Sequence, residues 1–147
     1  MIYVLALSLS AILLILTTLH VYWGIGGVWP GTDTRSCAHA VVGFRGVNAM
    51  PDAFASFSVA ACLGLATLWP LAMIGIVASP FSRTGLAAAA VLIALVFLGR
   101  GVAGFMPFWR RLAPVQPFAT LDRKYYAPLC LVMGLGFAIL ALSELSR

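Results

Sequence analysis

Four apolar runs, each close to the roughly 20 residues that carry a helix across about 30 Å of hydrocarbon, leave this chain few ways to fold. They lie at about 2–23, 53–77, 86–106 and 126–145. Lipid offers no partner to a bare N–H or C=O, so each run must satisfy its backbone internally and is predicted to be a helix. The fold class that follows is all-α: a four-helix transmembrane bundle, one domain over residues 1–147, with a long and partly helical first loop. Composition points the same way, with 63% hydrophobic and 9% charged residues, where soluble domains carry about 25% charged. The first run has no basic residue before it and no small-residue cleavage pattern after Leu19. It is therefore expected to stay as a membrane helix and not to be removed as a signal peptide.

Four crossings put both ends of the chain on one side and the two long connections, 24–52 and 107–125, on the other. Arg35, Arg45, Arg110, Arg111, Arg123 and Lys124 fall on the long-loop side, Arg83 and Arg147 on the terminal side. The positive-inside bias then predicts cytoplasmic long loops and exoplasmic termini in a bacterial inner membrane. A net charge of +5 follows from that topology. It does not indicate nucleic-acid binding, because the basic residues are scattered among short connections and form no continuous face. Cys37, Cys62 and Cys130 make no CxxC and no metal-ligand spacing, so neither a disulfide framework nor a metal centre is expected.

In so apolar a chain, polar chemistry has few places to be. The first is His20-Val21-Tyr22-Trp23-Gly24-Ile25-Gly26-Gly27-Val28-Trp29-Pro30, where the first run ends. Glycine tolerates positive φ and weakens helix, so the chain turns here. Tyr22 and Trp23 suit the aromatic belt at a membrane interface. His20, about one turn further in, is either an interfacial histidine bonded to a loop or a ligand and proton carrier, since imidazole changes charge near neutral pH. Residues 24–52 are too many for a simple turn, and the apolar content of Cys37 to Phe44 predicts a short helix or re-entrant segment that brings His39 to the same end. Asp52, just before the second run, is expected to cap it.

Arg100 sits inside the third run among Gly99, Gly101 and Gly104. A charge at that depth costs a few kcal/mol, so it either snorkels to the headgroups or faces inward to a partner, with Asp122 and Asp52 as candidate counter-ions. Arg110 and Arg111 beside Trp109 are expected to meet anionic headgroups. The second informative stretch is Leu121-Asp122-Arg123-Lys124-Tyr125-Tyr126-Ala127-Pro128-Leu129-Cys130. Pro128 is tolerated in a first helical turn, which predicts that the fourth helix starts near Tyr125 with Asp122 just before it.

His20-x-Tyr22-Trp23-Gly24-x-Gly26-Gly27-x-Trp29-Pro30, Arg100 with its glycines, and Leu121-Asp122-Arg123-x-Tyr125-Tyr126-x-Pro128-Leu129-Cys130 together resemble a family of short four-helix bacterial integral membrane proteins defined as a domain of unknown function. The resemblance spans nearly the whole chain. It implies a multi-pass bacterial membrane protein and brings no activity, substrate or cofactor with it.

Three functions remain open on the sequence. The first is a binding protein or enzyme for an amphiphile such as a lipid, quinone or isoprenoid: His20 or Asp122 would move protons, Arg100 would hold an anionic group, and Tyr22, Trp23, Trp29, His39, Tyr125 and Tyr126 would line the site. The second is an accessory subunit of a larger membrane complex, or a homo-oligomer, packing through its small-residue helix faces. The third is a haem-binding electron carrier with His20 and His39 as axial ligands, against which stands the placement of His39 in a loop. Neither the cofactor nor the reaction, if there is one, is named by the residues.

Overall fold

The computed structural model describes residues 1–146 and is all-helical. Arg147, counted above on the terminal side, lies outside the described residues. The first long helix, α1 (Ile2–Gly24), runs until the glycines stop it, with Gly26 at φ +92°. The connection that follows contains the short α2 (Thr34–Val41). Asp33 starts it with a capping box: its carboxylate accepts from the Ser36 N–H at 2.7 Å while the Ser36 hydroxyl accepts from the Asp33 N–H at 3.1 Å. Two of the free N–H groups of a helix start are met in this way.

Asp52 caps α3 (Ala53–Met73), accepting from the Ala55 N–H at 2.8 Å, as its position suggested. The helix stops four residues short of the expected 77, because Gly75 turns the chain at φ +77°. Helix α4 (Arg83–Ala103) begins three residues earlier than expected, where the Ser82 hydroxyl accepts the Gly85 N–H. After α5 (Pro107–Leu112), the short α6 (Phe118–Leu121) leads through a wide π turn at Asp122–Tyr126 into α7 (Ala127–Leu145). The fourth span is thus longer than the sequence implied, one helical path from Phe118 to Leu145. Pro128 has no N–H to give and its ring crowds the carbonyl of the preceding turn. Widening that turn, so that the Ala127 N–H reaches back five residues to the Asp122 carbonyl, lets the helix pass through the proline without breaking.

The four spans Ile2–Gly24, Ala53–Met73, Arg83–Ala103 and Phe118–Leu145 are long and apolar enough to cross a membrane, and their large exposed side chains, among them Leu14, Ile15, Leu65, Leu92, Val96, Val132 and Leu142, form the surface that lipid tails cover. They associate as two pairs, α1 with α3 and α4 with α7, which touch one another more sparsely. The buried core belongs to the terminal half of the bundle: Ala6, Leu9 and Leu13 of α1, Met73 of α3, Ala90 and Ala94 of α4, and Met133, Phe137 and Leu140 of α7. There Glu144 is 7% exposed, with the Arg83 guanidinium 3.8 Å away. Toward the long loops the pairs separate.

Candidate functional site

The space left where the pairs separate is a cavity of about 630 Å³. Leu16, Leu19, His20 and Trp23 line it from α1, Val59 and Leu63 from α3, and Phe97 and Arg100 from α4. Leu121, Tyr126, Leu129 and Cys130 line it from the fourth span, while Trp29, Pro30, Val41 and Phe118 roof it. From Leu16 to Trp23 it reaches roughly 10 Å along α1 at 1.5 Å per residue. A smaller outer chamber of about 280 Å³ adjoins it beneath Phe44, Met50, Pro51 and Trp109. His20, Trp23, Val41, Val59, Arg100 and Phe118 line both.

The polar end of the cavity is built on Asp122, which has no exposed surface. Arg100 donates from Nη2 to Asp122 Oδ1 at 2.6 Å, and Arg110 donates from Nη2 to Oδ2 at 2.7 Å. The Trp109 indole N–H adds a third bond to Oδ2 at 3.1 Å, and the Arg100 guanidinium lies over the Trp109 ring at 4.7 Å. Arg110 also donates from Nη2 to the Gly104 carbonyl and from Nη1 to the Ala119 carbonyl. Arg100 therefore faces inward and does not snorkel, and Arg110 is a member of this cluster where the sequence placed it at the headgroups. Two guanidinium groups share one carboxylate, and Arg100 Nη1 is buried with no hydrogen-bond partner in the protein. A guanidinium N–H shut away from water without an acceptor costs free energy, and this one lies against Gly104, where an added Cβ would meet it at 3.3 Å.

His20 donates from Nδ1 to the Leu16 carbonyl at 2.8 Å. A carbonyl only accepts, so Nδ1 carries the proton and Nε2 is the acceptor of the neutral ring. The ring stands edge-on to Trp23 at 4.9 Å, whose own N–H donates to the Trp29 carbonyl at 2.7 Å. The glycines allow this fold-back: a Cβ on Gly27 would lie 2.3 Å from the Tyr22 ring. The roof is tied to the helices by the Tyr126 hydroxyl, which donates to the Ala40 carbonyl at 3.2 Å, and to the second loop by the Val115 N–H, which donates to the Gly43 carbonyl at 3.2 Å. Gly43 has φ +71°, and a Cβ there would lie 2.1 Å from the Phe118 ring.

Of the residues singled out by sequence, His20, Trp23, Trp29, Arg100 and Tyr126 meet at the cavity, and Asp122 stands behind Arg100. Tyr22 packs on Gly27, Tyr125 is half exposed beside Lys124, and His39 lines neither chamber. Trp109, Arg110 and Phe118 were missed. With Asp33 and Asp52 opening helices, Asp122 is the one carboxylate left at this end for the cations, but no local pattern marks these three residues as its neighbours. All three cysteines are free, and burial pushes the Cys37 thiol up from its ordinary value, away from the thiolate that reacts.

Four apolar spans, paired two and two around a cavity with a half-buried guanidinium at its polar end, define a multi-pass helical membrane protein. The chain belongs to the family described as a protein of unknown function, DUF3995, whose model matches residues 13–137, a range that contains every residue lining the two chambers. No curated protein and no solved structure matches the chain.

Proposed function

We propose that this protein binds an amphiphile with an anionic head: the head accepts hydrogen bonds from Arg100 and the apolar body lies between the two helix pairs. The observation that carries this reading is Arg100, which lines both chambers and belongs to a cluster of two cations and one carboxylate, at the polar end of a cavity whose other walls are leucine, valine, proline, cysteine and aromatic rings. A volume of about 630 Å³ falls among the roughly 300–1,000 Å³ of ordinary ligand sites. His20 Nε2 is the acceptor available to a hydroxyl or acid proton of the ligand, which makes His20 the candidate proton carrier if the ligand is also transformed. Asp122, with both oxygens occupied, serves by holding Arg100 in position. Since His39 lines neither chamber, the geometry gives no support to a haem held between two histidines. The excess of Arg and Lys at the site's end supports a cytoplasmic mouth in a bacterial inner membrane.

Native mass spectrometry of the protein released from mild detergent tests this directly. The expected result is a discrete extra mass of an anionic amphiphile on the wild type and on Tyr125→Phe, whose ring lies outside the cavity, and its loss from Arg100→Gln. A bare wild-type chain, a chain recovered only with a different polypeptide, or full retention by Arg100→Gln would overturn the reading.

A further inference from the structure

The start of the fourth span carries a second, outward-facing concavity. Its 28 residues extend roughly 42 Å at 1.5 Å per residue, about 12 Å more than the hydrocarbon is thick. The excess falls at the charged end, which puts Phe118 to Tyr126 at headgroup depth. Arg123 and Lys124 lie three and four residues beyond Thr120, the spacing that gathers side chains on one helical face, and Gln116 lies just before the helix. With Arg110 they enclose a surface concavity of about 400 Å³, separate from the chambers above.

The charged groups offered there are all cationic. The Thr120 hydroxyl donates to Gln116 Oε1 at 2.8 Å, which leaves the Gln116 amide N–H₂ turned to other acceptors. Among the described residues no carboxylate pairs with Arg123 or Lys124: Asp33 and Asp52 cap helices and Asp122 is already shared by Arg100 and Arg110. The Lys124 ammonium has only the Tyr125 ring, 5.1 Å away. Several cations and an amide converging without an acid suit a tetrahedral oxyanion, which offers several acceptors at once. We propose that this concavity binds a phosphate group, carried either by the headgroup of an anionic phospholipid or by a free phosphate ion.

The test uses the whole protein in nanodiscs of phosphatidylcholine with and without phosphatidylglycerol, counting lipids retained on release, beside a titration with inorganic phosphate in zwitterionic detergent. Arg123→Gln with Lys124→Gln is compared with Arg111→Gln, an exposed arginine outside the concavity. One retained phosphatidylglycerol, weakened on the order of 30-fold by the double substitution and unchanged in Arg111→Gln, supports a lipid source. Saturable phosphate binding with the same residue dependence, and no preference for phosphatidylglycerol, supports a soluble one. Neither kind of binding, or an equal loss in Arg111→Gln, would overturn the site. The double substitution leaves Arg100 and the inner cavity untouched, so failure here is distinguishable from failure of the inner site.

Discussion

A carboxylate withdrawn from water persists only if it is met on every side, and Asp122 is met by two guanidinium groups and an indole N–H. Removing one partner of a buried ionic cluster costs more than the cluster is worth, because the surviving charges are left unpaired. Asp122→Ala is therefore expected to destabilise the protein by about 3 kcal/mol, with Asp122→Asn intermediate, since an amide still accepts hydrogen bonds but no longer balances the cations. Thermal unfolding in mild detergent, followed by circular dichroism, measures it; two unchanged melting temperatures would show that the cluster is wet and weakly coupled. At this scale the sequence was half legible. That Arg100 must either snorkel or face inward to a partner, with Asp122 and Asp52 as candidate counter-ions, could be read from the apolar context alone. That Arg110 shares the same carboxylate could not, because Arg110 reaches it from the short helix α5, twelve residues away, and nothing in the local pattern separates an arginine turned inward from one meeting headgroups.

The pairing of helices depends on how closely their backbones approach, and in lipid that approach is set by small side chains. Between α4 and α7, a Cβ on Gly134 would lie 2.6 Å from a Leu98 side-chain carbon and 2.9 Å from the Leu98 backbone nitrogen, and one on Gly101 would meet the Leu131 backbone nitrogen at 2.9 Å. A side chain could turn away; a helix backbone cannot without moving the helix. Gly134→Ala is expected to destabilise by about 1–3 kcal/mol, the range for forcing extra carbons into a filled interface. Gly99→Ala, with nothing within 4 Å, is expected to be neutral or mildly stabilising, as alanine favours helix. Parallel thermal melts of the two variants decide it, and equal effects would mean that α4 and α7 are not held at this distance. The elements themselves were legible because lipid demands long, internally bonded apolar runs. Their ends were less so. Gly75 and Ser82 moved two boundaries by a few residues, and the fourth helix reaches back past Pro128 because a π turn takes up the misfit, a device with no sequence signature beyond the proline.

The same bundle is filled at one end and open at the other, and this asymmetry separates stability from binding in a way that substitutions can measure. In the terminal half Leu13 is fully buried among Phe137, Leu140 and their neighbours. Leucine gains little by leaving water when the alternative is lipid, yet Leu13→Ala still forfeits its packing contacts and leaves a void, an expected cost of about 2 kcal/mol. In the loop half Leu63 and Leu129 face the 630 Å³ cavity, where added volume meets empty space instead of neighbours. Leu63→Trp and Leu129→Phe should accordingly leave the melting temperature of the ligand-free protein nearly unchanged while excluding the amphiphile. Melting temperature and copurified mass, read on the same preparations, must form a cross: Leu13→Ala loses stability and keeps the ligand, and the cavity-filling variants do the reverse. If the cavity-filling variants lost stability as heavily as Leu13→Ala, the two helix pairs would have to close on each other in the membrane, and the opening between them would not be a binding site.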